Sequence, residues 1–514
     1  MRDSKPDTLV VLDFGGQYCH LIARRVRQLG VYSEILPSNI PSSEIQDRSE
    51  VKGVILSGGP SSVYEKDTPQ FDPSILDLDL PVLGLCYGHQ LIANIAGGDV
   101  RTGDRREYGI THVTVVKPVN ILKGLRRSEK VWMSHGDTVY SLPDEYETLA
   151  FSDNTPIAAF RHVSKPVFGL QWHPEVTHTV HGEEILRNFI FEVCKCTANW
   201  KAESFIEKGM REIQNMVKDG KAVIALSGGV DSGTAAVLAS MALGEKLTAV
   251  FVDHGFMREG ETQSVKGAFE ALGVKMIQLD ERDRFFRRLK GITDPEEKRR
   301  IIGEEFIRVF EDFAVKIGAE YLIQGTIYPD RIESGAGRDA STIKTHHNVG
   351  GLPEKTRFKE IVEPLRDLYK DEVREVAKQL GLPNEIVWRQ PFPGPGLAVR
   401  VIGQLSEEKI EAVRKADRIV VEELQESELD KRLWQFFAVL TDTKSTGVKG
   451  DARAYGYTVA VRVVESSEAM TASFSRLPYD VLERISTRIT NEIPQIVRVV
   501  YDITHKPPAT IEWE

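Results

Sequence analysis

The sequence predicts an α/β protein of three domains: an α/β domain over residues 1–196, a second parallel-sheet domain over 197–389, and a small α+β domain over 390–514. Three observations predict it. Short apolar runs alternate with helical stretches through the first 195 residues, and the alternation resumes after residue 220. The segment 390–397 (QPFPGPGL) packs three prolines and two glycines into eight residues, which breaks any regular element. Beyond it, β-rich runs at 457–464 and 496–501 alternate with helical ones.

The chain has 514 residues, 41% apolar and 28% charged, enough to bury several cores. Its net charge of -10 argues against a nucleic-acid surface, because phosphate backbones need a basic footprint. Four cysteines, Cys19, Cys86, Cys194 and Cys196, do not form a secreted disulfide framework, and a reducing cytoplasm is expected. Cys194 and Cys196 lack the further ligands a zinc site needs and are read as flanking a linker. The apolar run from Leu9 to Leu12 is too short for a signal segment or a spanning helix, so no membrane association is expected.

In the first domain, apolar strands are expected at 9–12, 54–56 and 82–85 in a parallel layer, with function at the strand ends. Cys86 stands at such an end within GLCYG (84–88). Small glycines permit a sharp strand-to-helix bend, and a helix N-terminus favours the thiolate, the reactive form. Alone, such a cysteine is more often a small buried hydrophobe. The segment 169–175 (GLQWHPE) adds an imidazole and a carboxylate two residues apart, which in an extended chain point to one side. His173 can then take the thiol proton while Glu175 orients the ring. A second Gly-rich strand end, SGGP (57–60), offers backbone NH groups for an oxyanion together with the NH of Tyr87, or is merely a turn.

In the second domain, residues 224–234 (IALSGGVDSGT) read as a strand, a Ser-Gly-Gly turn and a helix. Gly228 and Gly229 let backbone approach a phosphate whose oxygens face the free NH groups of the helix, with Asp231 beside Mg2+. The segment lacks the Gly-Lys-Ser/Thr ending of a Walker loop, which disfavours γ-phosphate transfer. A parallel strand is expected at 249–253, ending at His254-Gly255 where an adenine or ribose would meet backbone groups, and the segment 321–326 (YLIQGT) repeats the arrangement, in a doubly wound sheet of Rossmann type. A loop at 343–353 (IKTHHNVGGLP) reads as a lid. Its Lys344, with Lys355 beyond it, would stabilise charge on pyrophosphate; His346 and His347 are not expected to ligate a metal. The final segment 506–514 (KPPATIEWE) is rigid for a chain end and is expected to dock.

SGGVDS resembles the PP-loop of the ATP pyrophosphatases, which cleave ATP between its α and β phosphates. GLCYGHQ, SGGPSS and QWHPE resemble the class I glutamine amidotransferases. That resemblance implies Cys86 as nucleophile, His173 as base, Glu175 as orienter, Gly59 and Tyr87 as oxyanion donors, and Gln90, His135 and Asp137 around the glutamine. His89 departs from the methionine common at that position. Together with PFPGPGL, HHNVGGLP and KPPATIEWE, the full chain resembles the glutamine-hydrolysing GMP synthetase family. It implies a class I amidotransferase α/β domain, a Rossmann-like PP-loop ATP pyrophosphatase domain and a C-terminal domain for dimerisation and XMP binding. The implied chemistry is adenylation of XMP by ATP with Mg2+, then displacement of AMP by ammonia from glutamine, with no prosthetic group and no nucleic-acid partner, in a cytoplasmic homodimer. The ATP site would comprise Ser227, Gly228, Gly229, Val230, Asp231, Ser232, Val252, Gly325 and Lys344, with XMP on Arg299, Lys506 and Glu512.

Three other readings compete with it. A PP-loop tRNA thiolase is opposed by the absence of cysteine from residues 197–514 and of a broad basic face. A glutamine-dependent PP-loop synthetase with another acceptor is the stronger alternative. A nucleotide-sensing binding protein is opposed by the presence of Cys86, His173, Glu175 and Asp231.

Overall fold

The computed structural model describes residues 6–66, 68–331, 358–466 and 471–514. Two compact units divide the chain, one to Lys201 and one from Ala202. Among the described residues the first unit has nine strands in one sheet: β1 (Thr8–Asp13), β2 (Tyr32–Pro37), β3 (Val51–Leu56), β4 (Val82–Leu85), β5 (Asp99–Val115), β6 (Ser128–Ser141), β7 (Tyr146–Phe151), β8 (Ala159–His162) and β9 (Val167–Leu170). The spatial order is β2-β1-β3-β4-β9-β8-β7-β5-β6. From β2 to β9 the pairing is parallel, whereas β8, β7, β5 and β6 are antiparallel. The expected parallel layer is therefore half of a mixed sheet. The difference follows from patterning. Val82 to Leu85 are all buried, as befits strands covered on both faces, whereas β6 alternates buried and exposed positions and meets β5 in a long hairpin.

The second unit holds two sheets. β10 (Ala222–Ala225), β11 (Leu247–Asp253), β12 (Met276–Asp280), β13 (Tyr321–Ile323) and β14 (Glu360–Val362) form a parallel sheet ordered β12-β11-β10-β13-β14. The strand order reverses at β10, so the crevice past its C-terminal end is where a doubly wound sheet takes a ligand. The helix Val230–Leu243 leaves from that end, and its alanine-rich interior is buried almost all round.

A second sheet joins β15 (Gln435–Lys449), β16 (Ala452–Glu465) and β17 (Ser473–Phe474) in antiparallel order, with β18 (Ile496–Tyr501) parallel to β16. The helices Glu407–Glu426 and Tyr479–Glu492 turn Ile410, Val413, Ile419, Val420, Ile485 and Ile489 into a core shared with residues of the parallel sheet. Ser406 starts the first of these helices by accepting the Lys409 NH at 3.2 Å. The chain end docks within this unit: Ile511 is buried with Val464 and Ala472, and Trp513 donates to Asp502 at 2.9 Å.

Candidate active sites

In the first unit, β4 ends at Leu85; Cys86 follows it with a φ of 52°, in the left-handed region, and the helix Tyr87–Ile95 begins at the next residue. A cysteine there carries backbone strain, sustained because both flanks are tied: Cys86 NH donates to Leu170 O at 2.8 Å and Gly88 NH to Ser57 O at 3.2 Å. Gly88 is required by close approach, since a Cβ there would lie 2.5 Å from Leu56 O. The bend thus aims the Cys86 side chain past the sheet, where its Sγ lies 3.6 Å from Ser134 O and 3.8 Å from the Gln171 amide.

His173 and Glu175 sit in the turn after β9 rather than in a strand, and still meet: His173 Nδ1 is 2.7 Å from Glu175 Oε1 with both side chains buried. Burial alone pushes the imidazole pKa down. The Glu175 carboxylate, then the Cys86 sulfur, outweigh it and hold His173 well above its ordinary value. A cationic ring is thereby stabilised between a carboxylate and a thiol, the electrostatic condition for moving a proton off sulfur. Tyr18 packs its ring edge against His173 at 4.8 Å. Gly59 lies against the Tyr87 ring and Phe14, and the Tyr87 NH, first in its helix, has no intrahelical acceptor.

Gln90, His135 and Asp137 are brought together by backbone contacts. Gln90 Nε2 donates to Asp137 O at 2.9 Å and to Gln171 Oε1 at 3.1 Å, and His135 Nδ1 lies 2.8 Å from the same Asp137 carbonyl. Beneath His135 is the buried Glu107, 3.2 Å from its Nε2, which also accepts from Thr155 at 2.6 Å and Ser152 at 3.0 Å. Burial raises the Glu107 carboxyl, but His135 and the two hydroxyls bring it down to about 2. The Asp137 carboxylate accepts from Tyr64 at 2.9 Å. Glu107, Tyr64 and Gln171 were not singled out from the sequence. Gln171 stands inside the QWHPE motif and could have been; Glu107 and Tyr64 carry no local signal. His89 is fully buried against Phe160, and burial lowers its pKa to about 3 although the backbone at Gly169 and Ile157 pulls the other way.

In the second unit the turn after β10 has Gly228 at φ 76°, a conformation that suits glycine. Ser227 and Ser232 hydroxyls meet at 2.9 Å across the turn, and the Ser227 NH donates to Ser232 at 3.2 Å. Val230, Asp231 and Ser232 form the first turn of the helix, which leaves their NH groups without intrahelical acceptors. Gly325, just past β13, approaches so closely that a Cβ would lie 2.9 Å from Ser232 N; Val252 is buried in β11. Asp231 pairs through Oδ2 with Lys370, while its Oδ1 is buried without a hydrogen-bond partner. Lys370, at the start of the helix Lys370–Gln379, was not anticipated. Lys344, Lys355, His346 and His347 lie outside the described residues.

Arg299 and Glu512 are both engaged by the docked chain end. Arg299 donates to a main-chain oxygen of Glu514, and Lys298 beside it reaches the Glu514 side chain at 3.3 Å. Glu512 pairs with the fully buried Arg400 at 2.9 Å and accepts from Gln435. Arg400 also faces Asp417 at 3.3 Å and stacks over Phe437 at 4.1 Å, a set that sequence patterning did not reveal. Lys506 pairs through its backbone with Ala472.

Comparison with known proteins matches residues 10–193 to the glutamine amidotransferase class-I family, 201–302 to NAD synthase and 422–513 to the GMP synthase C terminal domain. The glutamine-hydrolyzing GMP synthase of Caldicellulosiruptor saccharolyticus is 53% identical over 513 residues, covering 99% of each chain. Those of Geobacillus kaustophilus and Caldanaerobacter subterraneus are 53% and 52% identical, again over 99% of each chain.

Proposed function

Because the chain belongs to the glutamine-hydrolysing GMP synthase family, we propose that it aminates XMP to GMP with glutamine as nitrogen donor. ATP adenylates the xanthine O2 and releases pyrophosphate, and ammonia from glutamine then displaces AMP. The observation that carries this reading is the presence in one chain of a thiol–imidazole–carboxylate set at a strand end and a Ser-Gly-Gly phosphate loop at a sheet switch point.

At the first centre, His173 takes the Cys86 proton and the sulfur attacks the glutamine carboxamide carbon. Gly59 and Tyr87 NH groups receive the developing oxyanion, and the proton on His173 passes to the leaving ammonia. Water then releases glutamate from the thioester. Gln90, His135 and Asp137 hold the substrate, with Glu107 fixing the His135 ring from below. At the second centre, Ser227, Gly228, Gly229, Val230, Asp231 and Ser232 cradle the phosphates, Val252 and Gly325 border the nucleotide, and Lys344 would stabilise the charge on pyrophosphate. The buried, unpartnered Asp231 Oδ1 is a hard oxygen of the kind Mg2+ takes beside phosphate, so Asp231 would hold Mg2+, which when bound screens phosphate charge. Arg299, Lys506 and Glu512 contact XMP.

The chemistry explains why two centres share a chain. A purine oxygen is a poor leaving group and AMP a good one, while free ammonia in neutral water is mostly ammonium and not nucleophilic. The assignment of residues 1–196, 197–389 and 390–514 to amidotransferase, pyrophosphatase and dimerisation domains, a homodimeric state and a cytoplasmic location complete the proposal.

Product analysis with ATP, Mg2+, XMP and either glutamine or ammonium salt tests it. GMP, AMP and pyrophosphate are expected from both donors, with Cys86→Ala retaining only the ammonia reaction. ATP binding without GMP from ammonia would mean a different acceptor.

A further inference from the structure

The Ser-Gly-Gly turn can cradle an anion only if its peptide NH groups face one way. In a planar trans peptide the carbonyl and NH point in opposite directions, so whatever fixes the carbonyl fixes the NH. The Gly228 carbonyl is held by Arg389, whose Nη1 donates to it at 3.0 Å across 161 residues of sequence. The other arm of the guanidinium pairs with Glu261, which is buried and is itself fixed by accepting the Arg258 NH at 2.9 Å. The NH of the same peptide, that of Gly229, is thereby turned towards Ser227 Oγ at 3.3 Å, on the side of the Ser227 and Ser232 hydroxyl pair. A Cβ on Gly228 would lie 2.8 Å from Arg389 Nη1, so the clamp also demands glycine at this point.

We propose that Arg389 is a positioning residue for the phosphate loop, holding the Gly228–Gly229 peptide with its NH turned to the ATP phosphates. The guanidinium grips two acceptors fixed in place, a task for a planar fork with several donors and one that a lysine ammonium fills only in part. Arg389 acts through the loop and not by touching phosphate, and Glu261 holds Arg389. The proposal rests on the reading of residues 227–232 as an ATP site.

The test is steady-state kinetics of ammonia-dependent GMP formation in the full-length protein, with thermal unfolding alongside. Arg389→Gln is expected to raise KM for ATP by on the order of 10- to 100-fold, the range for loss of a hydrogen bond to a charged group, with kcat and KM for XMP within about twofold. Arg389→Lys should fall between. Glu261→Gln should raise KM for ATP in the same direction, and the double variant Glu261→Gln, Arg389→Gln should be no worse than Arg389→Gln alone, as for residues acting in series. An unchanged KM for ATP in Arg389→Gln would overturn the proposal, as would additive effects in the double variant, which would place Arg389 directly on phosphate. An equal rise in KM for XMP, or a loss of activity explained by unfolding at the assay temperature, would reduce Arg389 to a structural residue; in the latter case Arg389→Lys, assayed below its unfolding temperature, decides by the same KM split. Failure of the ATP-site reading is distinguishable, because Ser232→Ala in the loop itself would then also leave KM for ATP unchanged.

Discussion

Replacing Glu175 by glutamine keeps the shape of the Cys86 centre and removes its charge. Glu175 and His173 are both almost wholly buried and approach to 2.7 Å, which places the centres of charge of carboxylate and imidazolium about 4 Å apart. At an effective dielectric of about 20, unit charges at that distance attract by roughly 4 kcal/mol. If the imidazolium that forms as sulfur attacks loses that support, glutaminase turnover should fall by about three powers of ten. The pH dependence gives the sign a second check. Burial pushes His173 down and the carboxylate pushes it up, so removing the carboxylate leaves burial opposed by Cys86 alone and the ring loses its proton at lower pH. In the wild type the raised pKa also stabilises the fold: the contribution is complete below the ordinary value of 6.5 and is lost as pH rises through the raised one. The assay is glutamate release in the presence of ATP and XMP across pH, with ammonia-dependent GMP formation as the internal control, expected within about twofold of wild type. A Glu175→Gln enzyme with glutaminase activity within about tenfold of wild type, or with an unmoved pH profile, would refute the orienting role.

Other perturbations read different parts of the molecule. His89→Met removes a buried imidazole with a pKa of about 3; because the unfolded chain binds its proton near 6.5, wild-type stability should drop by about 2 kcal/mol between pH 7.5 and 5, and urea titrations should find that drop missing in the variant. Gly88→Ala drives a methyl into Leu56 O and should cost at least about 3 kcal/mol, seen as a lowered thermal midpoint for the first unit. Arg400→Met leaves Glu512 without its cation and Asp417 with Arg258 alone, in a buried setting, and should destabilise the protein by about 3 kcal/mol; an unshifted denaturation midpoint would contradict the burial argument. Glutamine hydrolysis should remain slow until ATP and XMP are both present, and rates that ignore them would contradict coupling of the two centres.

What the sequence determined by itself is the chemistry held in short segments. GLCYG implies a sharp bend because only small residues fit it, HPE keeps imidazole and carboxylate within reach by closeness in sequence although they meet in a turn and not along a strand, and SGGVDS opens a helix after a strand because glycine admits the positive φ found at Gly228. Such contacts are encoded by spacing, so they can be read without coordinates. The parallel runs were legible for the same reason: an unbroken apolar segment has to be covered on both faces. The antiparallel half of the first sheet was not, since a polar-alternating strand does not say which neighbour it will pair with. Tertiary structure alone decided the supports of each site. Lys370 reaches Asp231 across 139 residues, Arg389 reaches Gly228 across 161, and Glu512 meets Arg400 across 112. A lysine or arginine in a helical or loop pattern looks the same whether it ends in water or against a buried carbonyl; only packing removes the water and makes one partner obligatory.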